Sequence, residues 1–399
     1  MTVGLGVSIG TVNTVCAVAD EGGARGPRGR GPDRPLGQGR PGAPTTWRTT
    51  LTFDSTGTAR VGRIPKHGRA LAEFGDLTQR SAPSARVGHR ALSAADLVAT
   101  VAQSVLAEAF GAEPMPDVGV AVSHPVGYPA ECLAELRESL DAVGLPHATL
   151  VAEPIAALAW LDATHGPLTP GLTLVYDLGG SALGVTLVRV GAGAPVNPVV
   201  GEPLRSADYG GRAFGALMTK QTHRTVVRGG AVGVSADDRS GGAGGGADAA
   251  ARSLADSDAA ITDLRTAHVR RSLELVYRCL GIADVTMADV DRVLVVGGAA
   301  RPREVAAVLA EALARPVIVA PDPERTIAEG AAIMARRAAA ARAAAQSRRP
   351  GVAWLQRRRL VRAAAAVAIA AAGVLLGLVV PDAAVSAGTV VVSGVPMAR

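Results

Sequence analysis

The sequence predicts a two-lobed, internally duplicated α/β fold followed by one C-terminal transmembrane helix. Three observations predict it. A strand, a glycine turn and a second strand occur twice: VGLGVSIG runs into TVNTVCAVA from Val3, and Leu172–Tyr176 and Leu183–Val190 flank Asp177-Leu178-Gly179-Gly180-Ser181. Each unit is followed by helical and apolar strand patterns in alternation, the signature of βα units. Lastly, Ala363–Val380 is an uncharged run of Ala, Val, Ile, Leu and Gly, about 27 Å long as a helix and so long enough for a bilayer core.

Composition supports this division. The chain has 399 residues and is 48% hydrophobic, enough for two or three domains and too apolar for a disordered protein. Aromatic residues are only 3%, so the core is built from Val, Leu and Ala. Cys16, Cys132 and Cys279 are too far apart for a zinc pattern or a disulfide framework. Met1–Ala17 has no basic segment or cleavage pattern of a signal peptide.

The net charge of +6 invites a nucleic-acid partner until it is located. Nine arginines and no acidic residue lie between Arg336 and Arg362, and without them the net charge is −3. The Gly/Pro/Arg run at 22–44, which reads as a disordered loop insertion, holds five more arginines and one Asp, which leaves the folded body at about −7. A nucleic-acid-binding body would concentrate base on its folded surface, so none is expected to bind there. The arginine collar before the span places the N-terminal domain in the cytoplasm and the tail 381–399 outside, as a single-pass protein of the cell membrane. Trp354 sits where an interfacial aromatic would.

In order along the chain, Trp47–Phe53 and Ala59–Val61 flank Asp54-Ser55-Thr56-Gly57 as a hairpin. Ser93–Phe110 has helical period through Leu97, Val98, Val101, Val105 and Leu106, with Ser93 as its cap. Val118–Ser123 is a buried strand, Pro129–Val143 a helix ended by Gly144, Thr149–Val151 a strand and Pro154–Asp162 a helix. The Gly/Ala/Ser-rich 229–250 reads as disordered. Then come a helix over His268–Leu280, a strand Arg292–Val296, a Gly297-Gly298 turn opening a helix Pro302–Leu313, a strand Val317–Val319 and an Ala-rich helix Ile327–Ala341. The expected organisation is lobe I and the start of lobe II over 1–190, the rest of lobe II over 191–335, a linker over 336–362, the span 363–380 and the tail.

Glycine turns of this kind suit phosphate, because backbone N–H groups can reach anionic oxygens where no side chain intervenes. Two such turns in equivalent places, with Gly297-Gly298 at a helix start, point to a shared anion site. From Val3 to Ala335 the arrangement resembles the nucleotide-binding domain of the 70-kilodalton heat-shock chaperones, within the actin-like ATPase fold. GVSIGTVNTVCAVA resembles the first phosphate loop, Arg48-Thr49-Thr50 the segment after it, and VAVSHPVGYP the strand before a helix. VAEPIAALAW resembles the connecting helix and VYDLGGSALGVTLV the second phosphate loop. Ala207–Phe214, VLVVGGAARPREV and DPERTIAEGAA resemble the Leu-Gly-Gly, adenosine and closing motifs.

The resemblance implies binding of ATP or ADP with Mg²⁺. It implies nucleotide contacts at Gly10, Thr11, Val12, Asn13, Gly179, Gly180, Ser181, Gly210, Gly211, Gly297, Gly298 and Arg301. It makes Glu153 and Asp177 the catalytic carboxylates, with Asp177 toward the metal, directly or through water. The departures weigh against turnover. Ser8 stands where the family has the first-loop Asp, Ala182 replaces a Thr, Gly184 an Asp and Ala299 a Ser. The only lysines are Lys66 and Lys220, and none falls between Phe74 and Arg90, where the catalytic lysine belongs. Arg80 or Arg86 would neutralise charge, but a guanidinium is not an equivalent point donor. The stretch between Gly211 and Gly297 is short, with Arg270, Arg271 and Ser272 as remnants of the adenine-closing helix. Met334 runs into the arginine-rich linker, not into a peptide-binding β-sandwich. The expected function is a membrane-anchored, chaperone-like nucleotide-binding protein with weak or no ATPase activity and an unknown cytoplasmic protein partner. A nucleotide-free scaffold and an active ATP-dependent chaperone are the alternatives.

Overall fold

The structure, a computed structural model, describes residues 2–20, 23–25, 45–54, 57–63, 70–79, 85–87, 90–110, 118–195, 198–229 and 245–348. Met1–Arg342 is one compact unit and contains both lobes. Of the second unit, Ala343–Arg399, only 343–348 are described.

Lobe I is a sheet of β1 (Val3–Ile9), β2 (Asn13–Asp20), β3 (Gly23–Arg25), β4 (Thr45–Arg48), β10 (Val118–His124) and β11 (Thr149–Ala152). Its order is β11-β10-β1-β2-β3, with β4 also on β2. β1 pairs antiparallel with β2 and parallel with β10, and β10 pairs parallel with β11. Lobe II repeats the plan. Its strands are β12 (Gly171–Leu178), β13 (Leu183–Val190), β14 (Val199–Ser206), β15 (Arg292–Val296) and β16 (Val317–Val319), in the order β14-β13-β12-β15-β16. Here too the first two strands are antiparallel, and β15 and β16 follow in parallel. Such central strands are covered on both faces, which is why VGLGVSI and RVLVV are nearly unbroken apolar runs with four consecutive buried residues each.

Lobe I also carries β5 (Thr50–Phe53), β6 (Ala59–Val61), β7 (Leu71–Ala72), β8 (Ala85–Val87) and β9 (Arg90–Leu92) as two small sheets. The strand expected over Trp47–Phe53 is therefore two. Thr49 breaks it: its N–H donates to the Val12 carbonyl at 2.8 Å, and its buried hydroxyl lies 3.0 Å from that of Thr14. β4 stays on β2 while β5 pairs with β6, with Leu51 opposite Val61.

The helices are α1 (Ala94–Phe110), α2 (Ala130–Ala142), α3 (Glu153–His165), α4 (Gly211–Gly229), α5 (Gly245–Ile282), α6 (Arg303–Leu313) and α7 (Thr326–Arg348). Ser93 caps α1 reciprocally: the Asp96 N–H donates to its Oγ at 3.2 Å, and its own N–H donates to Asp96 Oδ2 at 3.1 Å. Leu97, Val98, Val101 and Val105 face the lobe I core. α3 and α7 lie between the sheets, where Ala156, Ala157 and Ala331 share a core with Val151 of β11, Val175 of β12 and Leu294 of β15. Close approach demands small residues there. A Cβ on Gly4, Gly6 or Gly119 would overlap the backbone of α7, and one on Gly330 would overlap the Ala156 carbonyl of α3.

Several expectations are revised. The helix expected over His268–Leu280 extends over the 38 residues of α5. Gly229 ends α4 and residues 245–250 begin α5, so 229–250 is helical at both margins; 230–244 lie outside the described residues. Of the 22–44 run, Gly23–Arg25 forms β3 against Val18–Asp20, and 26–44 lie outside. Arg336–Arg348 of the expected linker continues α7. Among the described residues no helix is long and apolar enough to cross a membrane; 363–380, Trp354 and the tail lie outside them.

Candidate functional site

The turns between β1 and β2 and between β12 and β13 close identically. Gly10 donates its N–H to the Asn13 carbonyl at 3.0 Å, and Gly179 donates to Ala182 at 3.0 Å. They meet across the lobes, since a Cβ on Gly180 would lie 2.5 Å from Val12 Cγ2. Between them and the Gly297 turn lies a cavity of about 690 Å³, the size of a small-molecule or cofactor site. Of the residues expected to contact nucleotide, Gly10, Thr11, Val12, Asn13, Gly179, Gly180, Ser181, Gly211, Gly297, Gly298 and Arg301 line it, as do Glu153, Asp177 and Ser8.

Glycine is required at Gly297 on two counts. Its φ is +96°, and a Cβ there would meet the Leu178 carbonyl and Asp177 Oδ1. Gly210 is buried behind the second turn, its Cα facing Ser181 and Ala182. The first N–H groups of α4 are spent there: Gly211 donates to the Gly179 carbonyl at 3.0 Å and Arg212 to Gly180 at 2.8 Å. Gly210-Gly211 thus brace the turn from behind.

Glu153 opens α3 and Asp177 lies near the end of β12. Burial raises the pKa of both. The Asp177 charge raises Glu153 further, while the Arg205 guanidinium opposes the shift at each. A pair of carboxylates that ionise reluctantly side by side is relieved by a divalent cation. Mg²⁺ is ordinarily held by one or two carboxylates together with phosphate oxygens and water. Glu153 and Asp177 fit that requirement, and the glycine turns fit a polyphosphate. Among the described residues no group of three or more His, Cys, Asp or Glu side chains forms a metal cage, so the ligand would complete the coordination.

Arg301 is engaged by Asp322 at 3.1 Å and by Glu324. Glu324 also accepts from the Asn13 side chain at 2.5 Å, which joins the first turn to lobe II. Arg86 is exposed on β8, Lys220 is exposed on α4, and neither lines the cavity; Lys66 and Arg80 lie outside the described residues. Among the described residues the cation that acts on the carboxylate pair is instead Arg205 of β14, which sequence reasoning missed. It pairs with Asp76 of lobe I at 3.4 Å. Asp76 and Tyr128 were missed too. The Tyr128 hydroxyl donates to the Gly75 carbonyl at 3.2 Å and accepts the Leu77 N–H at 3.1 Å, fixing the turn that carries Asp76.

The supposed adenine-closing remnants are elsewhere. Ser272 is fully buried and lies 2.7 Å from the Tyr176 hydroxyl, and the exposed Arg270 pairs with Glu311 at 3.2 Å. Arg271 is exposed, and none of the three lines the cavity.

Mixed α/β lobes of matching topology, with glycine turns opposed over a cleft, are consistent with an actin-like ATPase fold. Within it, residues 253–343 match the family model described as Hsp70 protein. That segment runs from within α5 to within α7 and includes Gly297, Gly298, Arg301 and Glu324. Hsp70 proteins bind ATP or ADP with Mg²⁺, and the match indicates a nucleotide-binding, chaperone-like protein. No curated protein matches the chain.

Proposed function

We propose that the chain binds ATP or ADP with Mg²⁺ in the cleft between its lobes and presents this chaperone-like domain at the cytoplasmic face of the cell membrane, anchored through 363–380. One observation carries the nucleotide assignment: two equivalent turns, Gly10–Asn13 and Gly179–Ala182, oppose each other beside the Glu153–Asp177 pair. The turns take phosphate oxygens, Glu153 and Asp177 hold Mg²⁺ or order water, and bound Mg²⁺ supplies charge neutralisation at the phosphates. Hydrolysis is weak or absent, because Ser8 and Ala182 provide neither the carboxylate nor the hydroxyl that the resemblance calls for. A cytoplasmic protein is the partner, and the acidic body does not take nucleic acid.

Calorimetric titration of the full chain in detergent with ATP and Mg²⁺ tests this. The expected result is saturable binding with turnover near the uncatalysed rate. Absence of heat and of any thermal shift at millimolar ATP leaves a nucleotide-free scaffold. Turnover abolished by Glu153→Ala identifies an active ATPase. Solubility of the full chain without detergent sinks the anchor.

A further inference from the structure

Among the described residues, two ion pairs join the lobes beside the cleft. Arg205, on the edge strand β14, reaches Asp76 at 3.4 Å, and Arg212, in the first turn of α4, reaches Glu73 at 3.1 Å. They are built differently. Both partners of the second are strongly exposed, with side chains 47% and 62% accessible, which marks a weak rim pair. In the first, the Asp76 side chain is only 12% exposed and that of Arg205 38%. Asp76 is fixed: its Oδ1 accepts the Thr78 N–H at 3.0 Å and the Thr78 hydroxyl at 2.6 Å, leaving Oδ2 for the arginine. The third arginine on the cavity wall, Arg301, is held by two carboxylates. Arg205 has one long contact, to a carboxylate that keeps its Thr78 bonds when the arginine leaves.

We propose that Arg205 is the phosphate-contacting cation of the cleft, held in reserve on Asp76 until a di- or triphosphate draws it off. The assignment rests on the nucleotide-binding function proposed above. A guanidinium offers a planar fork that matches two phosphate oxygens, whereas Asp76 takes one arm at the outer limit of hydrogen-bond length. A polyphosphate seated on the two glycine turns presents more charge and better geometry than that contact. Glu153 and Asp177 share the wall with Arg205, so its charge is already spread over the anionic side of the cavity. Its release removes one of the two pairs tying lobe I to lobe II at this edge, so phosphate occupancy loosens the lobes there.

The test uses the full chain in detergent, titrated with ATP–Mg²⁺ and, separately, with inorganic tripolyphosphate. Arg205→Ala weakens both by about tenfold or more, the loss expected of one charge-assisted contact. Asp76→Asn keeps an oxygen for Thr78 and frees the arginine, so it tightens both. A merely structural strap predicts the same direction for the two variants, since both delete one pair, and that outcome overturns the proposal. Unchanged affinity in Arg205→Ala overturns it as well. If Arg205→Ala does not fold, the sign of the Asp76→Asn change decides. Wild-type binding of tripolyphosphate without ATP refutes the nucleotide assignment while leaving Arg205 as an anion contact; binding of neither refutes both.

Discussion

Glu329 offers the sharpest physical test, because its environment and its sign are both defined. It lies in the first turns of α7 and accepts a hydrogen bond from the Trp160 side chain, within the layer between the sheets. Burial raises its pKa from 4.5 to about 7, against the lowering effect of Trp160 and Arg325. A carboxyl whose folded value exceeds its unfolded one binds its proton more tightly in the native state. Its contribution to stability is therefore complete below about pH 4.5, falls as pH rises toward 7 and is gone above it. A shift from 4.5 to about 7 is worth at most about 3 kcal/mol. Glu329→Gln is an isostere of the protonated acid and keeps an acceptor for the indole. Denaturant unfolding of both proteins from about pH 4 to about pH 8 then shows the variant gaining on the wild type as pH rises. The gain concentrates between the two pKa values. Parallel stability profiles would refute the assignment of a buried, reluctantly ionised Glu329.

Three further outcomes follow from named contacts. Gly330→Ala lowers stability by about 2 kcal/mol or more, because the added methyl meets the Ala156 backbone of α3 and not a side chain that could move; thermal unfolding reads it, and a gain in stability would show that α3 and α7 are farther apart. Ser93→Ala removes one arm of the α1 capping box and costs about 1 kcal/mol, measured by denaturant midpoint with unchanged cleft binding. Mg²⁺ binding with ATP strengthens as pH rises from about 6 to about 8, because Glu153 and Asp177 must shed protons that burial makes them retain; calorimetry at both pH values checks it, and a flat profile would remove both carboxylates from the metal.

What the sequence made legible follows from burial. Leu183–Val190, Arg292–Val296 and Val317–Val319 have the expected bounds, because a β-branched apolar run between turn residues has few other readings. β14 left no such mark. VVGEPLRS has Gly, Glu and Pro in its middle and a mixture of half-buried and exposed residues with none buried, as expected of an edge strand. Arg205 lies on that unmarked strand, so Arg80 and Arg86 stood as the candidate cations in the sequence. Asp76 was invisible for a related reason: the turn that carries it is held by Tyr128, 52 positions away in the chain, and long-range bonds leave no local period. Ser272 was misplaced by a motif, since a Ser beside two arginines resembles a ligand set until its hydroxyl is found under the sheet on Tyr176.

The duplication constrains function more than any single motif does. The two halves share strand order and turn closure, yet they support their turns differently. In lobe I the turn is backed by the Gly75 segment, which approaches the Gly10 carbonyl so closely that a Cβ would lie 2.8 Å from it. In lobe II it is backed by the start of α4 through two backbone hydrogen bonds. A displacement of either backing element moves its turn with it, and both backing elements carry an inter-lobe ion pair: Glu73 and Asp76 flank Gly75, and Arg212 opens α4. The anion site and the contacts that close the lobes are therefore parts of one arrangement. Between the lobes, α7 lies directly on glycines of β1 and β10 and crosses α3 at Gly330, while its Ile327, Ala331 and Ala335 side chains join the core between the sheets. α7 is thus in direct backbone contact with two central strands of lobe I and with α3, and it is the element that leads on toward the arginine-rich segment.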